Sequence, residues 1–234
     1  NELQKRISHA ENFSTDLVHE IRNPLTSLKS ASEILHETES QEQRTKLIDI
    51  LNHDVQRIER LITDYSQMLK DEVALSKEKM KKINLRLIVK SVVDDFNNIY
   101  EAKRGIQIIL REPNSQEEHF INGIENRVEQ IIANLLDNSI SFSDNDKKIL
   151  VEVSKSKEDE IILKVIDEGK GFKEKNTKKI FDRFYSNRPD NFGEHSGLGL
   201  NIVKNLVDLH GGSINASNNI TQKGAKVEIV FPKV

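Results

Sequence analysis

The sequence predicts an α-helical hairpin that dimerises into a four-helix bundle, followed by an α+β two-layer sandwich. Three observations carry this. Apolar residues recur every three or four positions from Phe13 to Leu69, interrupted by one short polar stretch. A charged segment without an apolar period runs from Asp71 to Lys82. Beyond it, helical and strand-like segments alternate without the repeat of a doubly wound sheet. The expected boundaries are residues 1–72 for the hairpin, 73–82 for a linker and 83–234 for the sandwich.

The first helix carries Phe13, Leu17, Ile21, Leu25, Leu28, Ala31 or Ser32, and Leu35 along one stripe. The polar run from His36 to Gln43 ends it. The second helix repeats the pattern with Leu47, Ile50, Leu51, Val55, Ile58, Leu61, Ile62, Tyr65 and Leu69. One hairpin of this length cannot bury both stripes, and pairing two hairpins can. Downstream, Leu87 to Tyr100 reads as helix, Ile106 to Leu110 as a short strand and Arg127 to Phe142 as helix. "KILVEVSKS" and "EIILKVID" alternate as neighbouring strands. A helix from about Leu198 to Leu209 stops at Gly211 and Gly212, and "KVEIVF" is a last strand.

Composition narrows the function classes. The chain has 234 residues with a formal net charge of -3, which gives no electrostatic case for a nucleic-acid partner. No apolar run is long enough to span a membrane. With no cysteine, thiolate sites and disulfides are excluded, which fits a reducing compartment. The sequence opens at Asn1 inside a charged helical pattern, so it is read as a fragment of a longer protein, any membrane segment lying outside it.

Four stretches of the second half carry chemistry. "NLLDNSISFS" places Asn134 and Asn138 on one helix face, where amide oxygens suit a hard cation such as magnesium. "DEGKGF" presents Asp167 at a strand end, an acceptor for an exocyclic amine, with Gly169 and Gly171 allowing a ligand near the backbone. "IFDRFYSNRP" sets Arg183 among Phe181, Phe184 and Tyr185. "SGLGLNIVKNL" is a glycine turn opening a helix, a ready phosphate site. Each alone has a plain alternative: a solvated amide pair, a turn, a surface cation, a tightly packed helix. Their order and context together are far more specific.

That order resembles the ATP-binding domain of sensor histidine kinases, within the gyrase, heat-shock chaperone and mismatch-repair ATPase superfamily. "HEIRNPL" in the first helix resembles the phosphoacceptor motif of the same kinases, so the likeness extends from about Phe13 to Phe231. It implies an ATP-dependent protein histidine kinase of a bacterial two-component system. Magnesium would be held by Asn138, with Asn134 assisting, and the adenine amino group by Asp167. Gly169 to Gly171 would line that pocket, and Gly197, Leu198 and Gly199 would contact the phosphates. A mobile lid would run from about Lys173 to Ser196, bringing Arg183 near the γ-phosphate. The partners implied are a second copy of the chain and a response-regulator receiver domain. The likeness also implies the cytoplasmic part of an inner-membrane sensor.

Within this likeness His19 is the phosphoacceptor. A nucleophilic nitrogen must be approachable, and the adjacent Glu20 can take the other ring proton as charge develops. Pro24 removes the amide that would bond to the Glu20 carbonyl, which predicts a local bend. Asn23, one turn past His19, can orient a water for dephosphorylating the partner. Three positions depart from the pattern: Ser141 replaces a basic residue, Phe142 a tyrosine, and His195 a glycine. The remaining histidines, His9, His36, His53, His119, His195 and His210, read as solvated or structural, without metal-ligand spacing. An ATP-driven machine of the gyrase class is disfavoured, because its water-activating glutamate would stand where Asn134 does. A non-catalytic dimer is disfavoured by His19, Asn138 and Asp167 occurring together.

Overall fold

The computed structural model describes the backbone of residues 2–75, 78–111, 118–173, 176–185, 197–219 and 223–234. Side chains within 2–14, at 16 and 64, and within 67–75 are outside the description, as are Phe13, Leu69 and His9. The chain forms two compact units, the second made of Leu75–Tyr185 and Gly199–Val234.

The first unit is the hairpin: α1 (Glu2–Glu37) and α2 (Gln41–Leu75). The connection closes on itself, with Arg44 donating to the Thr38 carbonyl at 3.2 Å and its own N–H bonding Ser40 O at 2.9 Å. Helix α1 runs unbroken through Pro24. Ala31 and Leu61 are buried, and Leu17, Ile21, Leu28, Leu47 and Ile58 are half-covered. Val18, Leu25, Ile34, Ile48, Ile50, Val55 and Ile62 stay exposed. The hairpin thus covers only part of its apolar surface. Helix α2 takes in the first residues of the segment read as a linker, and the next strand begins at Lys81.

The second unit starts with β1 (Lys81–Asn84) and α3 (Leu85–Arg104). Asn84 caps α3 by accepting from Arg86 N–H at 3.1 Å, and Gly105 closes it in the left-handed conformation, φ 64°. Then come β2 (Gln107–Arg111), β3 (Phe120–Gly123) and α4 (Glu125–Phe142). Next are β4 (Lys148–Lys155), β5 (Ile161–Ile166) and a 3-10 turn (Thr177–Phe181). The order ends with α5 (Gly199–Leu209), β6 (Ser213–Asn218) and β7 (Ala225–Phe231). Strands β1 and β3 pair antiparallel, and the other five form a mixed sheet in the order β2-β4-β5-β7-β6. Only β2 and β4 run parallel, and the crossover this demands contains α4.

Alternation explains the two layers. Ile149, Val151, Val153, Ile161, Leu163, Val165, Val227, Ile229 and Phe231 point into one core with the inner faces of α3, α4 and α5. On the other face Lys164 lies 3.7 Å from both Glu152 and Glu228, its partners in the strand register. The expected strands 148–156 and 160–167 do pair side by side. Strands β1, β3 and β6 were not expected from the sequence. Strands β1 and β3 have only four residues each, and β6, with six, has only Ile214 and Ala216 as apolar residues.

The end of α4 is held from outside. Arg104 donates to the carbonyls of Ile140 at 2.9 Å and Ser143 at 2.7 Å, and to Asn145 Oδ1 at 2.9 Å. A guanidinium there meets the negative end of the helix dipole and satisfies carbonyls that the helix leaves open. Both ends of α4 matter below, because this helix carries the paired asparagines.

Candidate functional site

In the hairpin, His19 is exposed on α1 with Glu20 half-covered beside it. Glu20 Oε2 accepts from Arg57 Nη2 of α2 at 3.1 Å. That bond fixes the carboxylate and leaves Oε1 for another donor. Arg57 was missed in the sequence reading. Roughly equal lengths of helix separate Glu20 and Arg57 from the connection, and that counting would have set them face to face. Asn23 is exposed one helical turn beyond His19, and Pro24 is buried.

In the second unit, α4 turns Asn134 and Asn138 towards the opening turn of α5. A Cβ placed at Gly199 would lie 3.8 Å from Asn138 Nδ2 and 4.0 Å from Asn134 Oδ1. The opening turn of α5 thus lies against this face of α4, and the first N–H groups of the helix have no acceptors within it. Asn134 Nδ2 is buried and has no partner among the described residues. A buried amide donor left unmatched is costly, and an acceptor brought by a ligand would satisfy it. Gly197, with φ 75°, and the buried Leu198 lead into this helix. The amide oxygens suit magnesium and the helix start suits phosphate, so this donor set fits Mg-ATP.

Asp167 stands at the end of β5, buried. Its Oδ1 accepts two backbone N–H groups, Gly169 at 2.8 Å and Ala225 at 3.0 Å. Its other oxygen takes part in neither bond. Burial pushes the carboxyl above its ordinary 3.8, and those two bonds oppose the rise. Close approach explains two glycines. A Cβ at Gly169 would come 2.6 Å from the Phe142 carbonyl, and one at Gly224 would collide with the Asp167 carbonyl. Gly171, φ 73°, precedes Phe172, whose backbone is bonded on both sides by Asn218 at 2.6 and 3.0 Å. The stretch after β5 is therefore stitched to β6.

The region read as a lid includes a docked turn. Thr177 donates to the Ala216 carbonyl at 2.7 Å, and buried Asn201 donates to the Phe181 carbonyl at 2.8 Å. Arg183 follows this turn, half-covered. His195 and Ser196 lie outside the described residues. Ser141 donates to the Asn138 carbonyl at 3.0 Å, so its hydroxyl turns back on its own helix. Phe142 is partly exposed.

Comparison with known proteins bears on both units. Residues 10–82 match the His Kinase A (phospho-acceptor) domain, and residues 123–234 match the histidine kinase-, DNA gyrase B- and HSP90-like ATPase. The sensor protein ChvG of Agrobacterium fabrum is 36% identical over 95% of this chain, and that of Rhizobium meliloti is 36% identical over 92%. The chain spans only 38% of the length of each. Among solved structures, histidine kinase ThkA in complex with response regulator TrrA aligns over 99% of this chain and 64% of its own. Its TM-score is 0.68 at 23% identity, a likeness of fold.

Asp167→Asn separates a ligand-binding carboxylate from a structural one. The amide keeps an oxygen for both backbone N–H groups and removes a buried charge. Stability in urea at neutral pH is expected to be equal or higher. Affinity for ATP is expected to fall on the order of tenfold, the scale of a lost hydrogen bond to a charged group. In the wild type the folded state holds this proton more tightly than the unfolded chain. Its contribution to stability is therefore full below pH 3.8 and is lost as pH rises through the raised folded value. Lower stability with unchanged ATP affinity in the variant would reassign Asp167 to the scaffold.

Proposed function

This chain belongs to the sensor histidine kinases, joining their phosphoacceptor domain to their ATPase domain, and from that premise we propose that Mg-ATP phosphorylates His19. Autophosphorylation followed by phosphotransfer is the activity typical of kinases with these two domains, and ATP with magnesium is their usual ligand. The observation that carries the assignment is the exposed imidazole of His19 beside the Arg57-held carboxylate of Glu20.

One imidazole nitrogen attacks the γ-phosphorus in line, the bond to the β,γ-bridging oxygen breaks, and ADP leaves. The proton on the other ring nitrogen passes to Glu20 as charge develops. Neighbouring helix positions lie about 100° apart, so this contact needs a suitable rotamer. Arg57 limits the rotamers that Glu20 can adopt. Magnesium, when bound, neutralises charge on the phosphate oxygens, and Asn138 with Asn134 are the residues to hold it. Asp167 selects adenine, with Gly169 and Gly171 forming the floor. Gly197, Leu198 and Gly199 receive the phosphates, and Arg183 supplies positive charge near the transferred group. Positioning and electrostatics make up most of the catalysis.

The phosphoryl group then moves to an aspartate of a response regulator that docks on the hairpin around His19. Asn23, lacking any basic group, orients a water for removing phosphate from that regulator. Two hairpins pack into a four-helix bundle, covering Leu25, Ile50, Val55 and Ile62. The unit would serve on the cytoplasmic side of a membrane sensor whose remaining length receives the stimulus.

Incubation with labelled ATP and magnesium is expected to give a phosphoprotein stable in alkali and labile in acid. His19→Gln should abolish the label and keep nucleotide binding; a fully labelled variant would move the acceptor elsewhere. Asn23→Ala should label normally while phosphate persists longer on the regulator. Equal decay rates with wild type and variant would remove Asn23 from that role. Sedimentation is expected to show a dimer without nucleotide, and a helical monomer at micromolar concentration would rule out the bundle.

A further inference from the structure

His210 follows the last residue of α5 and is buried. Both of its ring nitrogens are engaged. Nε2 lies 3.1 Å from the backbone nitrogen of Ile124, and Nδ1 lies 2.7 Å from the carbonyl oxygen of Leu206. A backbone N–H can only donate, so Nε2 is the bare acceptor and Nδ1 carries the proton given to Leu206. The neighbours therefore select one neutral tautomer.

Each bond finishes a helix. Ile124 is the N-cap of α4, and its side chain makes no capping bond. The imidazole accepts from the N–H of the N-cap residue itself, the bond that a Glu or Gln at the third helical position makes in a capping box. The Leu206 carbonyl belongs to the last turn of α5 and also accepts from the His210 backbone N–H at 3.1 Å, so the ring is tied to its own helix end. The ring meets Phe231 of β7 edge-on, centroids 6.2 Å apart. Gly123 lies against it so closely that a Cβ there would come 2.9 Å from Cδ2.

Helices α4 and α5 are thus pinned by one ring at the start of α4 and the end of α5. Further along α4, Asn134 and Asn138 face the start of α5 at Gly199. A helix is stiff along its axis, and the 11 residues of α5 carry a displacement at one end to the other, about 16 Å away. We propose that His210 is a positioning residue of the nucleotide site, setting the register of α4 against α5. That register fixes how the asparagine pair stands against the opening turn of α5. The inference rests on reading this juxtaposition as the Mg-ATP site.

Protonation of Nε2 would turn its acceptor into a donor facing the Ile124 N–H, and the pin would open. Burial holds the imidazole below its ordinary 6.5, against the opposing effect of the Leu206 bond. The neutral pin therefore stands at neutral pH and is lost in acid. Charged groups on the surrounding elements are Lys204 and Asp208 of α5, Glu125 and Arg127 of α4, Lys81 opposite Gly123, and Lys233 beyond β7. Lys204 pairs with Asp208 at 2.8 Å, Arg127 with Glu78 at 3.3 Å, and Lys233 with Asp159 at 2.7 Å.

The test is calorimetric titration of the whole chain with magnesium and a non-hydrolysable ATP analogue, from about pH 8 to about pH 5. His210→Gln retains a donor and an acceptor and does not titrate; His210→Phe retains the ring volume and loses both bonds. Wild type is expected to lose affinity in acid more steeply than His210→Gln, the titration of the nucleotide phosphates being common to both. His210→Phe is expected to bind about tenfold more weakly at neutral pH, the scale of one such bond. Wild type and His210→Gln following one pH profile would overturn the proposal, as would tight binding by a folded His210→Phe. If wild type itself fails to bind the analogue at neutral pH, the nucleotide-site reading falls and this proposal with it.

Discussion

A carboxylate buried at the end of a strand constrains much of the second unit. Asp167 can remain there only if donors replace the water it has lost, and the fold supplies two backbone N–H groups. One comes from its own turn and so needs only a tight bend. The other comes from the first residue of β7, so β5 and β7 must be adjacent and in register. Gly224 follows from the same demand, because a side chain there would strike the Asp167 carbonyl. Gly169 lets the turn lie on the end of α4, and Arg104 steadies that end. Strand order, two glycines and a helix terminus thus share one electrostatic cause.

Elsewhere the same economy is worked by asparagine amides. Asn97 accepts from Ile108 N–H at 2.8 Å and donates to Ile108 O at 2.9 Å, giving the edge strand β2 a partner it lacks. Asn218 does the same for Phe172. Asn201 reaches from α5 to the turn at Phe181. Asn134 is different: its amide nitrogen is buried and finds no acceptor among the described residues. That unmatched donor lies on the helix face turned to the start of α5, where the proposed nucleotide site stands.

This contrast explains what could be read from the sequence. Asn134 and Asn138 are proposed from helical spacing, Asp167 from its place between an apolar strand and two glycines, His19 from its neighbours in the chain. All are local patterns. The hairpin and the sandwich follow from periods of 3.6 and 2, which are local as well. Arg57, Asn218 and His210 act across long stretches of sequence, and their roles exist only once the fold brings their partners near. Strands β1, β3 and β6 escape for a related reason: β1 and β3 are short, β6 is mostly polar, and pairing rather than composition makes them strands. The docked turn inside the lid region depends on Thr177 and Asn201, whose partners lie in β6 and at Phe181.

The two units solve opposite problems with the same residue types. Around Asp167 a charge is enclosed, and backbone dipoles are fixed around it before any ligand arrives. In the reaction proposed for it, His19 must stay in water to be reached, so no enclosing pocket can orient it. What can be fixed is its neighbour. Glu20 is tied across the hairpin by Arg57 through one oxygen, which reduces the entropy lost when the other oxygen takes a proton. The helical backbone fixes where His19 begins, and the ion pair fixes where Glu20 ends. An exposed nucleophile can in this way keep a defined partner, provided the helix pair beneath it keeps its register. That condition links the chemistry at His19 to the apolar surface the single hairpin leaves uncovered, because pairing two hairpins is what would hold the register.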